Sequence, residues 1–238
     1  MARNFAGGSD SVDCGSSSKL NPTGAMTIHA RAKLNSTSGA WIVARDDNAL
    51  GRAYSFGHQA GSYQIQVNGT PVGGGTLSVG IWYSLCAVND GSGNWTLYVN
   101  GISGGTGSPG NCPSTTGQTC IGRRTYAGLN ENFVGDIADV AIWNTSLRLA
   151  DVISLARGFS STLISPASLV FNVPLIRDVV DLRGNSTISI TGTAIATHPA
   201  VIMPRRRNSI GTFTGVSPPP PPVIVAYQVS KLALLGVG

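Results

Sequence analysis

The sequence predicts an all-β protein, an antiparallel β-sandwich with one short helix and an extended C-terminal arm. About a dozen short stretches alternate apolar and polar residues, and they recur roughly every 8–12 residues between Gly, Pro, Asn and Asp. Glycine is abundant, at 31 residues, and charged residues make up only 11% of the chain, which is typical of turn-rich β proteins. Helical periodicity is confined to a single stretch, which excludes a mainly helical fold.

Residues 81–101 are the most strongly patterned segment, and we expect the sandwich to be built around them. A first strand, at residues 81–88, is largely apolar on both faces, which is typical of a strand buried between two layers. A polar loop leads to a second strand that ends at Asn100-Gly101, a dipeptide that favours a two-residue hairpin turn. The segment therefore predicts a buried antiparallel hairpin.

The remaining strands follow from the same alternation. Residues 26–34 alternate cleanly, and we expect a half-buried strand whose wet face carries Thr27, His29, Arg31 and Lys33. Asn68-Gly69 predicts a turn, the glycines at 73–75 are expected to loosen the chain, and residues 103–118 are expected to form a loop. The other strands are predicted at residues 3–5, 10–14, 41–44, 54–56, 63–67, 119–123, 133–143, 168–175 and 186–193.

The C-terminal part of the chain carries the helix and the arm. Apolar residues recur at helical spacing from Leu147 to Ala156, and Gly158 follows where a C-terminal cap is expected. We predict a sandwich at residues 1–165, a β extension closing it at 166–204, and a basic, proline-rich arm at 205–238. The arm residues that we expect to mediate assembly are Arg205, Arg206, Arg207, Pro218, Pro222, Val225, Tyr227 and Leu232.

The charge distribution and the N-terminal segment limit the classes of partner that we expect. Residues 166–238 carry a net charge of +4 against +1 for residues 1–165, so the basic excess belongs to the tail, where it favours an acidic protein surface. No apolar run is long enough to span a membrane, and the N-terminus lacks the apolar segment of a secretory signal. We therefore expect synthesis in a cytoplasm, no membrane partner and no nucleic-acid partner.

Four cysteines and three histidines are candidates for site chemistry. Cys14 and Cys86 fall on predicted strands and are expected to be buried, whereas Cys112 and Cys120 flank a short loop and either form a local disulfide or remain thiols. No Cys-x-x-Cys pair or histidine cluster indicates zinc, and no histidine has a catalytic partner at motif spacing.

The ordered series of motifs resembles the laminin-G-like, concanavalin-A-like jelly roll. The series begins with NFAG at residues 4–7 and continues with MTIHARAK at 26–33 and WIVARD at 41–46. It closes with the segment at 81–101 and with FVGDIADVAIWN at 133–144, so that the resemblance covers residues 4–158. Residues 158–204 are similar to an extension of such domains in tailed-bacteriophage virion proteins, which implies a virion location.

The resemblance also directs attention to site residues. Glucanase members carry paired carboxylates, but Glu131 is the only glutamate here, so we expect no enzyme activity. Calcium-binding members hold the ion at a loop rim; Asp46, Asp47 and Asn48, or Asn89 with Asp90, offer such ligands, although solvated turns explain them as well. Asp136 and Asp139 are interpreted as structural. Aromatic residues that could stack on a sugar are Trp41, Tyr54, Tyr63 and Tyr126, although core packing explains most of them equally well.

Two functions follow as hypotheses. The first is a non-enzymatic structural subunit of a phage particle, such as a capsid decoration or head-fibre protein, anchored through its arm to virion proteins and sister copies. Its outer surface would adhere weakly to host glycans. The alternative is a free lectin-like carbohydrate-binding module. No cofactor is expected in either case, apart from the calcium ion considered above.

Overall fold

The computed structural model describes residues 2–47, 51–124, 131–176, 179–200 and 202, which form a sandwich of two antiparallel sheets. The N-terminal strands are β1 (Ala2–Ala6), β2 (Ser11–Asp13), β3 (Met26–Leu34), β4 (Ala40–Asp47), β5 (Gly51–Gln59), β6 (Ser62–Val67) and β7 (Thr70–Thr76). The next are β8 (Trp82–Asn89), β9 (Trp95–Val99), β10 (Ile102–Gly107), β11 (Cys120–Ile121) and β12 (Val134–Trp143). Helix α1 (Leu149–Ala156) is followed by β13 (Leu169–Val173), β14 (Ser189–Thr191) and β15 (Ala194–Ala196).

The first sheet has the order β10-β9-β8-β3-β12-β1-β15, and β13 also pairs with β12. The second sheet has the order β14-β2-β11-β4-β5-β6-β7. The predicted fold class is therefore confirmed. The main core lies between the sheets and contains large side chains such as Phe5, Phe56, Tyr63, Trp95 and Phe171, all fully buried. Within the described residues, no helix is long and apolar enough to cross a membrane.

Helix α1 covers the outer face of the first sheet and creates a second, smaller core. Cys86 and Val88 of β8 and Trp143 of β12 pack there against Val152 and Leu155 of the helix. This layer explains why β8 is apolar on both faces, as predicted. It also makes the prediction for β3 wrong: Thr27 and His29 are fully buried and Arg31 is 5% exposed, because the helix and the segment after it cover the face expected to be wet.

The local turn and cap predictions are confirmed. Asn68-Gly69 and Asn100-Gly101 both have positive φ at both residues and connect β6 to β7 and β9 to β10. At the end of α1, Gly158 has a φ of +101° and its N–H donates to the carbonyl of Leu155. The N–H of the next residue donates to the carbonyl of Ser154, which completes a Schellman motif.

The glycine-rich segments form strands, contrary to prediction. The triplet 73–75 lies in β7, and the first five residues of the expected loop, 103–107, lie in β10, so the end strands of the two sheets approach each other. A Cβ at Gly104 would lie 1.8 Å from the carbonyl oxygen of Gly74, and one at Gly105 would lie 2.1 Å from that of Gly73. Only glycine permits this approach, which we call the glycine seam.

Residues after the helix add strands to both sheets. β13 pairs with β12, β14 with β2, and β15 with β1. The strand expected at 186–193 is therefore shortened to Ser189–Thr191, and a strand that was not predicted, Ala194–Ala196, follows it in the other sheet. The last described residue, Ile202, bridges Phe159: its N–H donates to the carbonyl of Gly158 at 2.6 Å, and its carbonyl accepts from Ser160 N at 2.9 Å. The arm residues at 205–238 lie outside the described residues.

Candidate functional site

A cleft of about 460 Å³ opens at one end of the sandwich, where three connections meet. These are the β1–β2 turn, the β3–β4 loop and the segment that leads into β12. We call this feature the loop-end cleft. Small and polar residues line it: Ala6, Gly7, Gly8, Ser36, Ser38, Gly39, Asn132 and Val134.

Backbone hydrogen bonds hold the cleft walls together. Asn35 N donates to the carbonyl of Val134 at 2.9 Å, which joins the β3–β4 loop to β12. Gly7 has a φ of +85°, and a Cβ there would lie 3.1 Å from Val134, so the turn needs a glycine to close against β12. Ser38 N donates to Ser36 Oγ at 3.1 Å, which orders the loop within the cleft.

Glu131 lies beside the cleft in a hydrogen-bond network. Its carboxylate accepts from Trp41 Nε1 at 2.6 Å and from Gln59 Nε2 at 3.4 Å, and it forms an ion pair with Arg124. A Cβ at Gly39 would overlap the amide of Gln59, so the glycine in the cleft wall also allows Gln59 to reach the carboxylate. The only glutamate of the chain is thus held in place by three side chains.

Arg124 connects this carboxylate to a second one. Its guanidinium lies 5.2 Å from the centroid of the Trp41 ring, and its Nη1 is 3.3 Å from Asp46 Oδ2. Asp46 is buried and also accepts from Arg52 Nε at 3.0 Å. The two carboxylates therefore flank a guanidinium instead of an open space, and two arginines balance their charge.

Three of the four predicted sugar-stacking residues are buried. Trp41 and Tyr63 have no exposed surface and Tyr54 is 1% exposed. The Tyr54 hydroxyl donates to the carbonyl of Leu20 at 2.7 Å, and the Tyr63 ring packs edge-on against Phe56. No sugar can stack on these rings in this structure, because packing inside the sandwich covers them. Tyr126 lies outside the described residues.

The predicted calcium ligands have other partners where the structure describes them. Asp46 binds the two arginines, Asn48 and the side chain of Asp47 lie outside the description, and no group of three metal-ligating side chains occurs in the described residues. Asn89 and Asp90 stabilise the β8–β9 loop, since Asp90 accepts from Ser92 N at 2.7 Å and from the Asn94 side chain at 2.7 Å. These bonds, that from the Asn94 side chain above all, lower the pKa of Asp90.

Asp136 and Asp139 have structural roles, as predicted. Asp136 forms an ion pair with Lys33 at 2.6 Å and accepts from Asn4 Nδ2 at 2.7 Å. Asp139 accepts from Ser161 N at 3.2 Å and from Asn172 Nδ2 at 3.1 Å. Both carboxylates therefore fasten elements to the first sheet.

The structure brings one histidine to a serine that sequence spacing did not reveal. His29 Nε2 lies 3.1 Å from Ser84 Oγ, because β3 and β8 are neighbours and both residues face the helix layer. His29 is fully buried, and burial lowers its pKa to about 4. His58 is buried in the main core, and His198 lies near the end of the described chain, with Nδ1 2.5 Å from the carbonyl of Pro199. Only the alternation of β3 hinted that His29 shares a face with Arg31.

The four cysteines are all buried, which confirms the prediction for Cys14 and Cys86. Cys112 is a free thiol whose Sγ lies 3.6 Å from Met26 Sδ, so the structure contains no disulfide between Cys112 and Cys120. Burial raises the pKa of Cys112 to about 12.

The chain belongs to the concanavalin A-like lectin/glucanases superfamily: residues 6–153 match its Laminin_G_3 family model, which is more than half of the chain. This match confirms the resemblance seen in the sequence. No curated protein sequence matches the chain significantly. The resemblance of residues 158–204 to phage virion proteins stays a prediction.

Solved structures share the fold at low sequence identity. A Bacteroides ovatus protein designated as a candidate carbohydrate-binding protein aligns with a TM-score of 0.64 and 17% identity, over 84% of this chain and 60% of its own. A heptameric SAP-like pentraxin from Limulus polyphemus aligns with a TM-score of 0.59 and 17% identity, over 81% of this chain and 93% of its own. These similarities establish the sandwich architecture.

Proposed function

We propose that the protein is a non-catalytic carbohydrate-binding domain whose loop-end cleft takes a neutral sugar residue. The cleft carries the proposal. Its volume of about 460 Å³ is in the range of small-molecule sites, and it belongs to a chain of a lectin/glucanase superfamily. The hydroxyls of Ser36 and Ser38, the amide of Asn132 and exposed backbone groups at the glycines are suited to sugar hydroxyls. No lining side chain is charged, which favours a neutral sugar.

The carboxylate geometry supports binding instead of hydrolysis. Glycosidases place two carboxyl groups on either side of the bond that they cleave. Here the space between Glu131 and Asp46 is taken by the guanidinium of Arg124, which contacts both. A sugar in the cleft would meet Glu131 as a fixed hydrogen-bond acceptor at its edge.

Filling the cleft tests this proposal. A glycan array would identify a ligand for the full-length protein, and titration calorimetry would give its affinity. Ser38→Trp places a large side chain at an exposed position of the cleft and should weaken binding by at least about tenfold. Ser92→Trp is the matched control, because Ser92 is also exposed but lies in the β8–β9 loop at the opposite end of the sandwich. Equal affinities of the two variants would refute the cleft as the site.

We also propose that this domain serves as an accessory structural subunit of a phage particle, held by residues 205–238. The support is the sequence of the arm, with its arginine cluster and five consecutive prolines, together with the hydrogen bonds that hold Ile202 against the end of α1. The last described residue is therefore fixed beside the end of α1. The arm would join virion proteins or sister copies by strand addition.

Deleting residues 205–238 separates the two roles. The truncated protein should bind the array-selected glycan with unchanged affinity and fail to enter particles during assembly in infected cells. Normal incorporation of the truncated protein would contradict the anchoring role, and lost glycan binding would contradict the assignment of the site to the cleft.

A further inference from the structure

A second, smaller cavity opens on the outer face of the first sheet, beside the C-terminal end of α1. It measures about 150 Å³ and shares no lining residue with the loop-end cleft. We call it the Arg31 cavity. Its lining residues are Arg31, Trp82, Tyr83, Ser84, Asn100, Ala156 and Pro199.

Arg31 is the charged group of this cavity, and its donors are only partly used. The residue is 5% exposed, and its Nη2 donates to the carbonyls of Leu155 and Phe159 at the end of α1. Its Nε is buried and has no hydrogen-bond partner in the structure. Asp139 Oδ2 lies 4.0 Å from this Nε, which is within ion-pair range but beyond hydrogen-bond distance. A buried guanidinium with an unused donor favours an oxygen acceptor nearby.

The surrounding groups add a donor and a flat wall. Asn100 occupies the hairpin turn with a φ of +52°, and its Oδ1 accepts from Ser84 N at 2.9 Å. That bond fixes the amide so that Nδ2 is the atom left to donate. Trp82 forms a wall of the cavity, and Lys33 Nζ, which is paired with Asp136, lies 5.8 Å from the centroid of its ring.

We propose that the Arg31 cavity binds a small oxyanion, namely a carboxylate group, held by the Arg31 guanidinium and the Asn100 amide. Planar guanidinium groups match the geometry of carboxylates, with two donors presented side by side. The volume corresponds to about five water molecules, which is room for a carboxylate but not for a sugar ring with its hydroxyls. The carboxylate belongs either to a free small acid or to an acidic sugar that projects it into the cavity. The site is independent of the neutral-sugar proposal for the loop-end cleft.

Trp82 provides a direct probe of occupancy. It is half-buried, whereas Trp41, Trp95 and Trp143 have no exposed surface, so acrylamide quenching of native fluorescence reports mainly on Trp82. Acetate titrated into the full-length protein at constant ionic strength should protect this fluorescence saturably. Glucuronate, with glucose as the uncharged control, distinguishes the two sources of the carboxylate. Protection by glucuronate alone indicates an acidic sugar, and protection by acetate indicates a free acid group; either result supports the site.

Two matched variants test the geometry. Asn100→Asp keeps the acceptor for Ser84 N and tolerates positive φ, but it places a negative charge at the cavity and should weaken binding by at least about tenfold. Asn68→Asp makes the same change in the equivalent turn of the second sheet and should leave binding unchanged. The proposal is overturned if neither acetate nor glucuronate protects Trp82 up to about 100 mM. It is also overturned if both variants bind alike.

Discussion

Lowering the pH from about 7 to about 5 should destabilise the fold strongly, because it contains histidines buried in the uncharged form. His58 is fully buried, and within the described structure neither of its ring nitrogens has a hydrogen-bond partner. Its ring packs edge-on against Phe133 with centroids 6.1 Å apart. Burial alone lowers the pKa of His58 from 6.5 to about 4.

The size of the effect follows from proton linkage. Between the folded pKa of about 4 and the unfolded pKa of 6.5, the unfolded chain binds more protons, so stability is complete above this window and falls as the pH falls through it. At about pH 5 the loss from His58 is about 2 kcal/mol. Burial of His29 acts in the same direction, although the charge of Asp139 partly opposes it. Since the free energy of unfolding of small domains is about 5–15 kcal/mol, the combined loss from the two histidines is a large share of the total stability.

Urea denaturation followed by tryptophan fluorescence at the two pH values measures this loss. His58→Leu removes two unsatisfied nitrogens from the core, so it should keep or raise the stability at neutral pH and remove about 2 kcal/mol of the pH dependence. His198→Gln is the control, because His198 is only partly buried and should contribute less. If His58→Leu leaves the pH dependence unchanged, the linkage argument is refuted.

Three further predictions concern packing and reactivity. Gly104→Ala should lower the free energy of unfolding by about 1–3 kcal/mol, because its Cβ would overlap the carbonyl of Gly74. Gly73→Ala is the control, because a Cβ at Gly73 meets nothing within 4 Å. Thermal unfolding compares the two variants, and equal melting temperatures would exclude a close approach at the glycine seam. Trp41→Phe removes the indole bond to the carboxylate beside the cleft and should cost about 1–3 kcal/mol in urea denaturation; no loss would show that the bond contributes nothing. Cys112 should react with a thiol reagent only after unfolding, because burial raises its pKa to about 12; fast native labelling would contradict its placement.

Local features of the fold could be predicted because neighbouring residues alone cause them. The Asn-Gly turns at 68–69 and 100–101 need positive φ at two positions, and the cap at Gly158 needs it at one. Asparagine and glycine adopt positive φ at little cost in free energy, so these residues in the sequence indicate the turn and cap positions directly. The apolar alternation likewise predicted most strands and the core positions of the central hairpin.

The candidate site could be predicted only in part, since its residues meet through long-range packing. Glu131 was noticed as the only glutamate, but nothing in its neighbourhood in the sequence indicated Trp41, Gln59 and Arg124 as its partners. The loop-end cleft was missed because serine, glycine and asparagine in loops look alike wherever they occur. The aromatic residues proposed for stacking were expected at the surface, and packing buried three of them.

The sequence by itself determined that this chain is a β-sandwich with one capped helix, because periodicity, turn residues and composition all depend on local chemistry. Its concanavalin A-like type followed from the resemblance of its ordered motifs to that family. The tertiary structure decided which faces of the strands are buried from solvent. Helix α1 and the residues after it cover β3, so His29 and Arg31 became buried. The close approach at the glycine seam places the first residues of an expected loop, 103–107, in β10. Burial and close approach depend on which distant segments pack together, and the alternation of apolar and polar residues in one strand does not specify which segment will pack on it.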